Sequence, residues 1–188
     1  MRPQCLEFVE IVMRHFDLHE PVLEIGSLQE KGQEELANMR SLFPGMTYIG
    51  LDMRAGPGVD IVEDAEHLHF DEGSIGTVLC VDTLEHIAHP WLVMEQVAKV
   101  LNKEHGVLIL LAPFSFPIHN HPSDYYRYTM QGLGALTPSF GHRFLLHGGR
   151  EDKPHTAAMI GLNGQPPEDT AYVDALNDWL EKWEDIVS

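Results

Sequence analysis

Positive charge is scarce in this chain of 188 residues: 12 lysines and arginines stand against 29 aspartates and glutamates, a formal net charge of −17 with histidine neutral. A surface so biased repels phosphate backbones and anionic lipid heads, and no cluster of Lys or Arg offers a local exception. Nucleic acid and membrane surfaces are therefore not expected partners. Cysteine is scarcer still. Cys5 and Cys80 lie far apart, so no disulfide framework is expected, and Cys80 sits inside an apolar run as a buried thiol. Long hydrophobic runs are absent, and none approaches the ~20 residues that span a bilayer. Met1-Arg2-Pro3-Gln4-Cys5 shows no basic stretch leading into an apolar core and a small-residue cleavage site, so no signal peptide is expected. These absences make a cytoplasmic protein the expectation. Repeats and low-complexity segments are missing too. The 12 histidines are scattered, which reads as ordinary surface or half-buried positions.

What is present suits one globular domain over residues 1–188, with 44% apolar and 22% charged residues. Residues 1–19 carry apolar side chains at helical spacing (Leu6, Val9, Ile11, Val12, Phe16), which predicts an N-terminal helix ending before Pro21. Apolar runs at Val22–Gly26, Met46–Leu51, Val59–Val62, Thr77–Val81 and Gly106–Ala112 predict strands. Helices are predicted over Gln29–Leu42 and Leu84–Leu101, and a shorter one over Thr129–Leu136. Residues 113–128, rich in proline, histidine and aromatics, read as a loop placed to act as a substrate lid. Arg143–His147 and Thr156–Leu162 read as closing strands, paired antiparallel. A last helix over 166–187 carries Trp179 and Trp183, which either dock it or form a dimer contact. Alternating strands and helices imply an α/β fold. The expected form is a Rossmann-like, doubly wound, mostly parallel seven-stranded sheet, with one antiparallel strand near its C-terminal edge and helices on both faces.

Such sheets bind ligands beyond the C-terminal strand ends, where strand order reverses. The residues there are suggestive. Glu24-Ile25-Gly26-Ser27 follows the first strand, and glycine there permits a sharp turn and close approach to a ligand. Asp52 ends the second strand, placed to grip the two hydroxyls of a ribose. Asp64 and Glu66 follow the third, where an acidic side chain can accept from an adenine amine. Three such positions, in order at one sheet edge, favour an adenosyl ligand.

With these residues in view, Val22-Leu23-Glu24-Ile25-Gly26-Ser27 resembles the first motif of class I S-adenosylmethionine-dependent methyltransferases, of the small type-11-like kind. Tyr48-Ile49-Gly50-Leu51-Asp52 is similar to their second motif, and Asp64 to Phe70 to their adenine-binding stretch. Val81 to Ile87 resembles the segment after strand four, and Val100 to Leu108 the approach to strand five. Gly56 to Asp60, Pro113 to His119 and Pro122 to Thr129 resemble a subset of small methyltransferases, many of which occur beside sugar-processing or cell-envelope functions. The resemblance implies S-adenosyl-L-methionine as cofactor. It would be bound by Gly26 and Ser27 at the methionine part, Asp52 at the ribose, Met53 on the adenine face, Asp64 and Ala65 at the adenine edge, and Val81 and Asp82 near the methionine part, with Glu24 on the strand end. One departure stands out: the second glycine position of the usual loop is Leu28, with Gly32 following later.

The loop after strand five carries the candidates for acceptor chemistry. His119 is the first choice as base and Asp124 as its orienting partner, since a base near neutral pKa is favoured. His86, Tyr125, Tyr126 and Arg127 are candidate substrate contacts, the last able to fork onto a carboxylate or phosphate. The alternative employment of Asp124 and Arg127 is a mutual pair that closes a lid. His119, His121 and Asp124 could also meet as a metal group, but their spacing is unspecific and no metal ion is assigned. The expected activity is methyl transfer to a small-molecule or glycan-type acceptor, by a chain that can form a homodimer. The competing reading is a catalytically silent module that binds S-adenosylmethionine or a nucleotide, as a sensor or partner subunit. A nicotinamide dehydrogenase would want G-x-G-x-x-G at the first turn, and a nucleotide-phosphate enzyme a glycine-rich loop with lysine; neither is present.

Overall fold

The computed structural model describes residues 2–32, 34–35 and 37–183. The apolar runs become β1 (Val22–Ile25), β2 (Tyr48–Asp52), β3 (Ile61–Val62), β4 (Thr77–Val81) and β5 (Val107–Pro113). These five pair in parallel, β1 with both β2 and β4. β6 (His142–Arg150) and β7 (Lys153–Leu162) form an antiparallel pair, and β7 also runs against β5. The result is one seven-stranded sheet of order β3-β2-β1-β4-β5-β7-β6. The order reverses between β1 and β4, which makes their tips the natural ligand site.

The period of two along each strand sorts its side chains onto two faces. Leu23, Ile25, Val78, Cys80, Leu108 and Leu110 pack under α2 (Pro90–Val100) and α3 (Met130–Leu136). Val22, Leu79, Val81, Ile109 and Leu111 pack under α1 (Pro3–His15) and α4 (Ala171–Glu181). Cys5 and Cys80 are both free and buried, and burial pushes both thiols well up, so neither is an available nucleophile. No helix among the described residues is long and apolar enough to cross a membrane.

Four expectations need correction. The helix expected over Gln29–Leu42 is replaced by turns and a 3₁₀ turn over Met39–Leu42, with residues 33 and 36 outside the described set. Gly32 sits in the left-handed region at φ 84°, and Glu34 accepts a hydrogen bond from its N–H, both incompatible with a continuous helix there. The segment's start is instead tied to the loop after β2: Gln29 N donates to Pro57 O at 2.9 Å. A Cβ on Gly58 would stand 2.4 Å from Ser27 O, so glycine is required for that approach. The long helix expected from Leu84 is divided: Leu84–His86 is a 3₁₀ turn and α2 starts at Pro90. Proline disfavours helical backbone just before it and is well suited to a first helical position. The third strand is shorter than expected and the closing pair longer. The last helix begins at Ala171 rather than Pro166, and its expected end lies partly outside the described residues. Trp179 and Trp183 are completely buried within this chain, so they dock the C-terminal segment and are not available to another protomer.

Candidate active site

A cavity of about 420 Å³ opens at the tips of β1, β2 and β4, under the loop that follows β5. Its floor begins at Gly26, which turns the chain out of β1 at φ 84°. A Cβ there would lie 2.2 Å from Thr83 Oγ1, so no other residue fits between the two strand tips. Asp82, just past β4, also has a left-handed backbone (φ 46°), rare for a residue other than glycine and here enforced at the cavity wall. Its N–H donates to Leu111 O at 3.0 Å. Its carboxylate faces Arg2, whose Nη2 is 3.3 Å from Oδ1.

At the β2 side, Asp52 lines the cavity with its side chain only 11% exposed. Its Oδ1 accepts from Arg54 N at 2.9 Å, which fixes the carboxylate. Arg54 in turn pairs with Glu30 at 2.9 Å. Met53, exposed, and Asp64 and Ala65 complete this end. Asp64 also has a local duty, since its Oδ1 accepts from Glu66 N at 3.0 Å and caps the 3₁₀ turn Ala65–His67.

Two of the expected cofactor residues do not line the cavity. Ser27 is buried behind the wall, against Gly50. Glu24 is buried in β1 and accepts from Tyr48 Oη at 2.8 Å. Burial, only partly offset by that hydrogen bond, pushes the Glu24 carboxyl up to about 8. A raised pKa means that ionising Glu24 works against the fold. Wild-type stability should therefore fall as pH climbs from about 4.5 through about 8, a loss that Glu24→Gln cannot show. In urea denaturation at pH 5, 7 and 9, the variant should gain steadily on the wild type; a constant difference would refute a raised Glu24.

Glu85, His86, Phe116, His119 and His121 also line the cavity. Glu85 is fully buried, and burial, with Asp82 nearby, pushes its carboxyl up to about 8. Neither of its carboxylate oxygens has a hydrogen-bond partner among the described residues. Its backbone carbonyl, by contrast, accepts from Tyr125 N at 2.7 Å and Tyr126 N at 3.3 Å, which pins the returning loop. Burial lowers the pKa of His86, whose Nδ1 is 2.5 Å from Ser123 O. His119 and His86 meet edge to face with ring centroids 4.7 Å apart.

Asp124 stands behind His119 rather than in the cavity. Its Oδ2 accepts from His119 N at 2.7 Å and lies 3.3 Å from His119 Nδ1. Arg127 forks onto the same carboxylate at 2.5 and 2.8 Å, which holds Asp124 well below the usual carboxylate range. Arg127 further donates to the carbonyls of Phe116, Pro117 and Tyr126. These contacts engage all five of its N–H groups, so it clamps the loop and has no fork left for a substrate. Tyr126 donates to Ala88 O at 2.9 Å and Tyr125 is exposed outside the cavity. The expected substrate contacts Tyr125, Tyr126 and Arg127 thus do not line the cavity, while His86 does. The sequence reading missed Arg2, Thr83 and Glu85. Glu85 alone had a local signal, an acidic residue beside His86 just past a strand.

Residues 17–110, half of the chain, match a family model described as a methyltransferase domain. Among solved structures, a S-adenosylmethionine-dependent methyltransferase from Archaeoglobus fulgidus is 13% identical, with a TM-score of 0.62 over 84% of this chain and 94% of that one. One from Aquifex aeolicus is 13% identical, with a TM-score of 0.58 over 86% and 93%. A chain of the complex between the Haloferax volcanii Trm112 methyltransferase activator and a methyltransferase is 14% identical, with a TM-score of 0.60 over 89% and 92%. At these identities the likeness shows the fold. No curated protein matches. The family match and the shared sheet together place this chain in the methyltransferase-domain family, among the class I S-adenosylmethionine-dependent methyltransferases, with S-adenosylmethionine as cofactor.

Proposed function

We propose that this chain catalyses methyl transfer from S-adenosylmethionine to a small-molecule or glycan-type acceptor. The observation that carries the proposal is the gathering of polar groups in one cavity. Carboxylates of Asp52, Asp64 and Asp82 line it at the strand tips, and Glu85, His86 and His119 line it as well. The donor set fits the cofactor: carboxylates accept from ribose hydroxyls, an adenine amine and an ammonium, and Arg2 offers a guanidinium to a carboxylate. Gly26 and Val81 leave room for close approach to the backbone, and Met53 offers an apolar face. Glu24 and Ser27 support the loop from behind.

When bound, S-adenosylmethionine supplies an electrophilic methyl group on a sulfonium. The part of this chain is to align donor and acceptor, and positioning can supply ~7–11 kcal/mol of the barrier. His119 takes the acceptor's proton at Nε2, with Asp124 and the Pro117 carbonyl holding its Nδ1 side. The residue 113–128 loop excludes water, held shut by the Asp124–Arg127 clamp.

The first test is binding. Asp52→Ala should raise the dissociation constant for S-adenosylmethionine about 10- to 100-fold in calorimetry, the loss expected when a buried charged acceptor is removed. An unchanged constant in a folded variant would remove the ribose role. A folded wild-type chain that binds the donor but methylates nothing across a broad acceptor panel would favour the silent module, a reading to which Leu28 at the cavity wall lends its one observation.

A further inference from the structure

We propose that Glu85, His86 and His119 form a binding site for one divalent transition-metal ion in the wall of the cavity. The three side chains present ligand atoms that all lie within 4.8 Å of one another. Glu85 Oε1 is 3.7 Å from His86 Nε2 and 3.8 Å from His119 Nε2. Those distances are too long for hydrogen bonds. They are close to the ~3.4 Å edge of a tetrahedron whose bonds are ~2.0–2.2 Å long, so a small inward movement closes the site.

Two independent observations make this more than a cluster of convenient residues. The first is Glu85 itself. It is completely buried, both carboxylate oxygens lack a hydrogen-bond partner among the described residues, and it faces the two imidazoles. A buried carboxylate in that condition is costly, and a cation is the partner that offsets the cost. The second is how the imidazoles are held. His86 Nδ1 is tied to Ser123 O at 2.5 Å. His119 Nδ1 lies 3.2 Å from Pro117 O and 3.3 Å from Asp124 Oδ2. An Nδ1–H held by oxygen fixes the tautomer that offers an Nε2 lone pair, the arrangement seen around metal-ligating histidines.

Two nitrogens and one carboxylate favour zinc, iron(II) or a similar ion over magnesium or calcium. His121 lies outside this set, with its Nδ1 3.4 Å from Glu30 Oε1, which leaves the fourth position to an acceptor oxygen. The site goes beyond the methyl-donor reading and does not depend on it, but it changes one part of it. With an ion in place, His119 Nε2 is engaged. The open position is then where an acceptor oxygen binds the ion. Proton capture by His119 belongs to the ion-free protein.

The test is equilibrium dialysis of chelator-stripped protein against zinc, repeated with cobalt(II) for its visible absorption. We expect one ion per chain and d–d bands of a low-symmetry site. Glu85→Gln and His119→Ala should each raise the zinc dissociation constant at least tenfold, with circular dichroism unchanged. Wild-type protein that takes up no stoichiometric ion overturns the proposal, as do folded variants that bind zinc as tightly as the wild type. Should Glu85→Gln fail to fold, the half-exposed His119 carries the comparison alone. Donor binding is measured on the same stripped samples. Donor binding without zinc removes the ion site only, and zinc without donor binding removes only the methyl-donor reading.

Discussion

His119→Ala should lower kcat by roughly a factor of 10² to 10⁴, the range for a lost acid–base group, while S-adenosylmethionine affinity stays within about twofold. The split follows from geography. His119 packs against Asp124, Phe116, His86 and His121, whereas the Asp52 carboxylate is held by Arg54. Its ring is ordered by Asp124 and by Phe116, whose ring centroid is 4.9 Å away. Single-turnover rates with saturating donor, set beside calorimetric donor binding, separate the two quantities. An unchanged rate would mean that alignment alone drives the transfer. A parallel collapse of donor affinity would mean that His119 holds the lid rather than the acceptor's proton. The prediction holds for a chain carrying an ion as well, because His119 is then a ligand.

Trp179→Ala should cost about 3–5 kcal/mol of stability, the range for a fully buried large aromatic residue. In a chain of this length that is a fall in melting temperature of roughly 6–20 °C. Trp179 has no exposed surface and packs on Phe8 of α1 with ring centroids 4.7 Å apart. It meets Trp183 edge on at 5.8 Å, and its Nε1 donates to Gln4 O at 2.7 Å. The substitution therefore opens a hole between the first and last helices and removes the hydrogen bond to Gln4 O in the same step. Thermal or urea unfolding measures it directly. A shift of only a degree or two would show that α4 contributes little to the fold.

The sheet was readable because its strands are buried on both faces and so announce themselves as continuous apolar runs; Thr77–Val81 and Val107–Ala112 needed no context. The strand-tip residues followed from the sheet, since Gly26, Asp52 and Asp64 are fixed by where strands end. Residues 29–42 misled because their composition favours helix, while Gly32 and the contact with Gly58 decide otherwise, and that contact joins loops far apart in sequence. Asp124 and Arg127 were seen as a pair or as a site, and only the count of five engaged donors chooses between them. Glu85 could not be seen as buried, because its cover is the backbone of Tyr125 and Tyr126, returning forty residues later. Arg2 had no local pattern at all.

Arg2 gives the fold a further property. Its guanidinium lies 4.7 Å from the Trp183 ring and 5.3 Å from that of Phe116, and it pairs with Asp82 at the strand tip. Residues from both extremities of the described chain and from the lid thus share one cation at the mouth of the pocket. Seating of the terminal helices and occupancy of the pocket become a single linked equilibrium. Whatever loosens the ends weakens the grip on a small molecule, and a tenant in the pocket stabilises the seated ends by the same free energy.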